Sequence, residues 1–491
     1  MEQVTENSLC AAVGGEPVVN HCDPGSVCQH IFVDCTQTLV SGLNTGVQRV
    51  VRNLVTRMCQ HAAKTPNEIA VVPVVTLDGT IFHAPKLIFD ADTYRSGASL
   101  SAHRLAWLQR LRRWLGDPAA ALLGRFARKA YFFLAAHNVR RLKGERVVFQ
   151  PGNILLMLDI FTDLALKRPL TSAQKAGVRI IFCHYDLIAL SHPHLCSRSW
   201  VASFHRYFSS SIRFADGYLC ISGAARDELS NHLISRSPAR AQQIRCQQFV
   251  LGSNFAASQS SSRGFESATE VTPAEKALIS RPIDEFFSRY AKVVLMVGTI
   301  EPRKNHRLSL QLLHRLANDL PEMGILWLGR AGWRSKQIIR EMRSSPFFPA
   351  RLQWISAAAD QDIHYAYQHA AALLFPSFAE GFGLPIMEAA SLGCPVIASN
   401  LPCHQELETD LVHCLPVDDI DAWERALRQL LEAASSHRIQ AGFASVTQAY
   451  SWDESAAQAL QLIRTLDVWP RAADIPKPDG MAPPTLSSSL W

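Results

Sequence analysis

The sequence predicts an α/β protein of two Rossmann-like, doubly wound domains that face each other across a cleft. Two observations lead to this fold class. Apolar runs rich in valine, isoleucine and leucine alternate with longer helical patterns along most of the 491 residues, as expected for parallel strands covered on both faces. A serine-rich polar stretch, residues 253–275, separates two such series, and the chain is too long for one hydrophobic core.

The apolar runs are the strand candidates. Because doubly wound sheets bind ligands outside the carboxyl ends of their strands, the loops that follow these runs are the expected sites. In the first domain the runs are residues 31–35, 69–75, 154–158, 178–183 and 217–222. In the second domain they are residues 292–298, 324–329, 372–377 and 395–399.

The same pattern predicts the domain boundaries. Residues 1–28 form an N-terminal tail, 29–270 the first domain, 271–455 the second domain, 456–470 a final helix that returns towards the first domain, and 471–491 a flexible tail. The last of these is rich in proline and lacks the periodicity of a packed element.

Composition excludes several classes of protein. Hydrophobic residues make up 48% of the chain and charged residues 19%, which is typical of a globular rather than a disordered protein. The twelve cysteines form no CxxC pair, which argues against a disulfide framework or a zinc site. The N-terminus lacks the pattern of a secretory signal, and no apolar window is long enough to span a membrane. We therefore expect a cytoplasmic protein.

A basic segment at residues 103–143 contains one acid, Asp117, and places Trp107 and Trp114 on one helical face. Two interpretations stay open. The segment is a helical insertion whose aromatic side chains pack on the first domain, or it is an amphipathic helix that contacts the inner face of the cytoplasmic membrane. No base-reading motif accompanies the charge, so nucleic acid is not an expected partner.

The segment "KVVLMVGTIEPRKN" predicts an anion site. Gly298 follows a strand, and Arg303 and Lys304 lie just before a helix. Two cations beside the free N–H groups of a helix N-terminus bind an anion without a metal. The alternative is a solvated pair of surface cations.

The segment "AEGFGLPIMEAASLG" places two carboxylates around a glycine-rich loop. Glu380 lies in the loop, and Glu388 lies about one turn into a helix whose first turn contains Pro385. Gly381 and Gly383 allow a ligand to approach the backbone. A carboxylate near a helix start is also explained by the helix dipole alone.

These segments resemble glycosyltransferase family 4, whose members are retaining, nucleotide-sugar-dependent enzymes with two Rossmann-like domains in the GT-B arrangement. The resemblance rests on "VGTIEPRKN", "FPSFAEGFGLPIMEAASLGCPVIAS", "TGVQRVVRNL" and "FCHYDLIAL". It is strongest to bacterial mannosyltransferases that build surface polysaccharides such as lipopolysaccharide. The fold class it implies is the one that the apolar runs predict.

The resemblance implies roles for the second domain, which would bind the donor. Arg303 and Lys304 would neutralise the diphosphate leaving group, Glu388 would accept hydrogen bonds from the ribose, and Glu380 would hold the donor sugar. Where family members often carry a further arginine, this chain has Thr299, so the positive charge falls on Arg303 and Lys304. The other implied donor-binding residues belong to the glycine-containing loops: Gly46, Gly298, Gly381, Phe382, Gly383 and Leu384.

The resemblance also implies roles for the first domain, which would bind the acceptor. His184 would face the donor sugar and help catalysis, although a histidine that ends a strand is more often a packing residue. Asp159, Asp186 and Arg49 are candidates for the acceptor site. For Asp159 a turn or cap role is an equal alternative. For Arg49 the equal alternative is a place on a solvated helix face.

The predicted function is retaining transfer of a hexose, with mannose from GDP-mannose as the specific expectation, to a glycan or lipid-linked glycan acceptor. The nucleotide-sugar is a co-substrate, and no cofactor or metal is expected. The alternatives are a non-catalytic partner subunit of the same fold, and a phosphorylase or another enzyme that processes sugar nucleotides. A glycoside hydrolase is disfavoured, because it would need no phosphate loop.

Overall fold

The computed structural model describes residues 29–41, 46–65, 68–84, 144–160, 166–253, 279–433 and 450–466. The expected basic insertion at 103–143 and both expected tails lie outside these residues, as does the serine-rich stretch from residue 254 onwards.

The first domain is built on a seven-stranded sheet in the order β3-β2-β1-β4-β5-β6-β7 within the described residues. All neighbouring strands are parallel except β2 and β3, which form an antiparallel edge. The strands are β1 Gln29–Asp34, β2 Ile69–Leu77, β3 Thr80–His83, β4 Ile154–Met157, β5 Arg179–His184, β6 Gly217–Cys220 and β7 Arg245–Gln248.

Helices cover this sheet because their apolar stripes turn towards it. In the second helix Val50, Leu54 and Met58 are buried at a spacing of four residues, which is one face of a helix. The helices are α1 Thr36–Ser41, α2 Gly46–Ala62, α3 Lys167–Lys175, α4 Ile188–Ser191, α5 Arg198–Phe214, α6 Gly223–Arg236 and α7 Pro238–Ala241.

The second domain is built on a six-stranded parallel sheet in the order β10-β9-β8-β11-β12-β13. Its strands are β8 Lys292–Val297, β9 Met323–Leu328, β10 Leu352–Ile355, β11 Ala372–Phe375, β12 Val396–Ser399 and β13 Val412–Leu415. Its helices are α8 Arg281–Arg289, α9 His306–Leu316, α10 Lys336–Ser344, α11 Asp360–His369, α12 Leu384–Ser391, α13 Pro402–Gln405 and α14 Ile420–Ala433.

Both faces of the second sheet are buried, as the continuous apolar runs predict. Along β8, Val293 and Leu295 join one hydrophobic core, whereas Val294 and Met296 join another on the opposite face. The first of these cores continues into the first domain. The two domains therefore share apolar packing.

Strand order determines where each sheet presents its loops. In each sheet the chain reverses its direction of winding beside the first strand, between β1 and β4 and between β8 and β11. The loops that follow such neighbouring strands diverge and leave a crevice at the carboxyl edge. The basic turn, residues 298–304, follows β8, and the glycine-rich loop, residues 376–383, follows β11. The two therefore meet at this crevice.

The final helix, α15 Trp452–Leu466, packs on the first domain. Ser455 Oγ donates a hydrogen bond of 2.6 Å to the carbonyl of Val250, and Asp453 lies 3.6 Å from Arg57 of α2. The helix begins before the expected residue 456, because Ser451 Oγ accepts a hydrogen bond of 3.1 Å from the Glu454 N–H and so caps the first turn. The expected start was therefore wrong.

No disulfide bond joins the nine cysteines among the described residues. Over the same residues, no helix combines the length and the apolar character that crossing a membrane requires.

Candidate functional site

The basic turn leaves β8 at Gly298, whose φ of 138° lies in a region that favours glycine. A Cβ at this position would lie 3.7 Å from Cε of Lys304, so the lysine stem crosses directly over the glycine. The Lys304 ammonium lies 4.2 Å from the ring centroid of Phe375, a cation–π contact. A short 3-10 turn, Pro302–Lys304, then leads into α9.

The glycine-rich loop leaves β11 and ends at Gly383, which has a φ of 122° and precedes α12. Pro385 is at the second position of that helix, as predicted. Hydrogen bonds join this loop to the basic turn: the Phe378 N–H donates to the Arg303 carbonyl at 2.7 Å, and the Arg303 guanidinium donates to the Ala379 carbonyl at 3.2 Å. The two loops therefore form one surface.

Glu380 connects the two cations of the basic turn. One carboxylate oxygen lies 2.6 Å from Nη1 of Arg303, and the other is paired with Nζ of Lys304. A further carboxylate, Glu301, lies 2.6 Å from Nε of Arg303. Two cations and two carboxylates sum to zero charge, so an anion that binds the cations must compete with Glu380.

Burial and charge set the ionisation of this cluster. Burial alone would raise the pKa of Glu380, but Arg303 and Lys304 outweigh it and hold that pKa well below its ordinary value. Burial lowers the pKa of Lys304, and Glu380 opposes the shift. The carboxylate is therefore ionised throughout the physiological range and holds both cations in place.

The first domain closes over the glycine-rich loop. A Cβ on Gly381 would lie 2.0 Å from the carbonyl oxygen of Tyr185 and 3.2 Å from Cβ of Asp186. Ser222 Oγ donates a hydrogen bond of 2.7 Å to the Gly381 carbonyl. Burial raises the pKa of Asp186 to about 6, although Arg303 across the cleft lowers it. Glycine is required at position 381 because another backbone packs against it.

Glu388 is 1% exposed and forms an ion pair with Arg49 of the first domain. Its other carboxylate oxygen accepts a hydrogen bond of 3.2 Å from the Tyr367 hydroxyl. Burial raises the pKa of Glu388, and Arg49 opposes the shift. Arg49 therefore does not lie on a solvated helix face; it joins the two domains.

His184 lines a small cavity of the first domain together with Asp186. It is the last residue of β5, and its ring packs inside the first domain, with centroids 6.3 Å from Phe208 and 6.1 Å from Tyr218. Burial, with a smaller contribution from His232, lowers its pKa to about 3. Asp186 follows the end of β5, where the alternation of side chains along the strand no longer sets their direction, and it lies beside Gly381 of the second domain. The expected catalytic role of His184 stays a prediction.

Asp159 has the capping role that was the alternative. It is fully buried and accepts hydrogen bonds from the Thr38 N–H at 2.8 Å and the Thr38 hydroxyl at 2.7 Å. Burial raises its pKa to about 7, while the bonds from Thr38 lower it. Asp159 thus caps the first turn of α1, and both of its carboxylate oxygens are engaged there.

The packing around Gly46 and Phe382, two other expected donor-binding residues, limits what each can offer a ligand. A Cβ on Gly46 would meet Cδ1 of Leu384 at 3.8 Å, an ordinary contact, so the packing does not require glycine there. Phe382 is 5% exposed and belongs to the hydrophobic core. Its side chain supports the loop from inside, which leaves only its backbone for a ligand.

Replacing Gly381 with alanine tests whether the closed arrangement is needed for activity. The new methyl group would collide with the Tyr185 backbone, so the domains cannot approach as they do now. We expect a loss of about 10²-fold in kcat/KM, because displacing the reacting groups by about 1 Å can lower the rate by that factor. Circular dichroism and thermal melting check the fold, and an active, normally folded Gly381→Ala variant would show that the reaction does not need this contact.

Sequence reasoning missed three residues of the site. Glu301 lies in the same turn as Arg303, and its acidic side chain beside two cations was a readable signal. Tyr367 and Glu406, which contact Glu388 and the start of α6 respectively, gave no signal, because their partners lie on distant segments.

Two largely parallel sheets covered by helices, whose loops meet between the domains, are the GT-B arrangement, and solved structures share this fold. The Anabaena protein HepE in complex with UDP-glucose superposes with a TM-score of 0.54 at 12% identity, over 89% of this chain and 99% of that chain. Sucrose-phosphate synthase from Thermosynechococcus elongatus gives a TM-score of 0.56 at 16% identity, over 89% and 99% of the two chains.

Residues 284–442, most of the second domain, match the family described as glycosyl transferases group 1. Two similar proteins come from Escherichia coli. Serotype-specific mannosyltransferase WbdA is 26% identical over 271 residues, which are 54% of this chain and 31% of that protein. O-antigen chain mannosyltransferase B is 30% identical over 198 residues, 40% of this chain and 51% of that protein. The chain therefore spans between about a third and a half of these relatives.

Proposed function

We propose that the protein is a retaining glycosyltransferase that moves a hexose, mannose in the specific proposal, from a nucleotide diphospho-sugar to a glycan or lipid-linked glycan acceptor in polysaccharide synthesis. The observation that carries the proposal is the cluster in which Glu380 joins Arg303 and Lys304 beside a glycine-lined loop. The family match over residues 284–442 and the similarity to mannosyltransferases support it. GDP-mannose is the proposed donor.

The charge of the cluster suits a diphosphate leaving group. Negative charge develops on the departing phosphate and positive charge on the sugar ring as the glycosidic bond breaks. Arg303 and Lys304 are already desolvated and held in place, so they stabilise the phosphate without first having to be ordered. Glu380, freed from part of its pairing by the phosphate, can then accept hydrogen bonds from the sugar hydroxyls.

Closure of the two domains would complete this site. Asp186 comes from the first domain and interacts electrostatically with Arg303, so its carboxylate is the group we assign to the acceptor hydroxyl. Asp159 takes no direct part in this proposal, because both of its carboxylate oxygens accept hydrogen bonds from Thr38. His184, whose Nε2 has no hydrogen-bond partner among the described residues, stays a candidate for positioning the donor sugar. The proposed transfer needs no metal, and activity should persist in the presence of EDTA.

Activity should depend on the ionisation of Asp186. Its pKa of about 6 means that the carboxylate is protonated below that value and cannot accept a proton from the acceptor hydroxyl. We therefore expect kcat/KM to rise with pH through about 6. The Asp186→Asn variant should be slower and should lose this dependence; an unchanged pH profile in the variant would remove Asp186 from the reaction.

A thermal-shift screen against GDP-, UDP- and ADP-sugars tests the proposal and identifies the donor. We expect GDP-mannose to raise the Tm most, because a ligand that binds only the folded state stabilises it. Purified protein should then convert GDP-mannose to GDP in the presence of a mannose-containing acceptor, and NMR of the product should show a retained anomeric configuration. Absence of any shift or turnover with all three classes of donor would contradict the proposal.

A non-catalytic partner subunit of the same fold is the second candidate. Such a subunit has no need of a buried, charge-balanced cluster at its cleft, so nucleotide-sugar turnover by the protein alone separates the two functions.

A further inference from the structure

A carboxylate from the second domain caps a helix of the first. Glu406 follows the short helix α13, and its two oxygens accept hydrogen bonds from the first N–H groups of α6, those of Gly223 at 3.0 Å and Ala224 at 2.5 Å. The third N–H, that of Ala225, is bonded to Ser222 Oγ at 3.0 Å. The first N–H groups of a helix have no partner within the helix, and a negative charge beside them is favourable.

The start of α6 also holds the glycine-rich loop, since Ser222 Oγ donates to the Gly381 carbonyl. The fit leaves little room: a Cβ on Gly223 would lie 3.0 Å from Oε1 of Glu406 and 2.9 Å from Oε1 of Gln248. The start of α6 thus contacts two segments of the second domain. It is capped by the Glu406 carboxylate, and it holds the backbone of the glycine-rich loop at Gly381.

We propose that Glu406 is a positioning residue for the transfer: by capping α6 from the opposite domain, it favours the closed cleft in which Gly381 meets Tyr185. This inference rests on the proposed function. The partners lie on different domains, so losing the contact leaves both hydrophobic cores intact and shifts the balance between open and closed states. Glu406 is exposed, and an exposed charge at a helix end has a modest effect.

The test compares Glu406→Ala and Gly223→Ala with wild-type protein and with Asp410→Ala, which removes an exposed acidic side chain nearby. We expect kcat to fall about tenfold in Glu406→Ala, the upper part of the range for such a contact. Donor KM and Tm should change little, because the donor binds mainly to the second domain. Gly223→Ala should act in the same direction by displacing the Glu406 carboxylate, Glu406→Asp should recover part of the rate, and Asp410→Ala should match wild type.

Small-angle X-ray scattering of the ligand-free proteins supplies a readout that does not depend on activity. We expect a larger radius of gyration for Glu406→Ala than for wild type and Asp410→Ala. Equal radii together with equal kcat would overturn the proposal, as would a parallel fall in Tm and donor affinity, which would mean a local stabilising role. If wild type turns over no nucleotide-sugar, the proposed function fails, and the scattering data still decide whether Glu406 favours the closed state.

Discussion

Replacing Lys304 with methionine should lower turnover of the nucleotide-sugar by ~10²-fold or more, the cost of losing one donor that stabilises a developing negative charge. Methionine keeps most of the apolar stem that crosses Gly298, so the turn keeps its shape while the ammonium is lost. Donor affinity should also fall, because one of the two cations of the site is gone. Steady-state kinetics and calorimetry with GDP-mannose measure both effects.

Arg307 provides the matched control for Lys304. It lies three residues further along, is exposed, and forms ion pairs of 2.6 and 2.9 Å with Glu341. Arg307→Met therefore removes a nearby cation that belongs to a different pair, and its turnover should match wild type. Near-normal turnover in Lys304→Met would show that the diphosphate is held elsewhere, and equal losses in both variants would show that only the general positive charge matters.

Separate substitutions of Glu388 and Arg49 should have different effects on the donor. If Glu388 accepts hydrogen bonds from the ribose, Glu388→Gln should weaken donor binding by about 10- to 100-fold, the range for hydrogen bonds to a charged group. Arg49→Met should weaken donor binding less than Glu388→Gln does, because Arg49 competes with the ribose for the Glu388 carboxylate. Calorimetry on both variants separates a ribose role from a purely interdomain one.

The free energy of unfolding should fall more in Arg49→Met than in Glu388→Gln, the reverse of the order expected for donor binding. Arg49→Met leaves a carboxylate that is 1% exposed with only Tyr367 as a partner, whereas Glu388→Gln leaves a guanidinium whose side chain is 20% exposed. Removing one partner of a fully buried ion pair lowers the free energy of unfolding by about 3–5 kcal/mol. The loss is smaller when the partner that remains is partly exposed. Chemical denaturation should therefore find Arg49→Met the less stable variant. Equal donor affinities in the two variants would assign Glu388 to domain closure alone.

The apolar runs predicted the interior of both sheets but not their edges. The strands that the sequence pattern missed, β3, β7, β10 and β13, are the four edge strands of the two sheets. An edge strand has one neighbour and is partly solvated, so it lacks the continuous apolar run of a central strand. In β7, "RCQQ", no residue is fully buried, and no run of valine or leucine marked it.

The local parts of the site were readable, and the contacts between the domains were not. Arg303, Lys304 and Glu380 follow neighbouring strands, so strand order alone brings them together. Arg49 and Glu388 are separated by 339 residues, and their pairing depends on how the two domains meet. Asp186 shows a finer limit: its place beside Gly381 depends on the residue at which β5 ends.

The central proposal is that the donor diphosphate binds between the basic turn and the glycine-rich loop. A crystal structure with the nucleoside diphosphate that gives the largest thermal shift tests it most directly. We expect phosphate oxygens within hydrogen-bond distance of Lys304 and Arg303, with Glu380 displaced from at least one of them. A diphosphate bound away from this crevice, with the Glu380 ion pairs intact, would contradict the proposal.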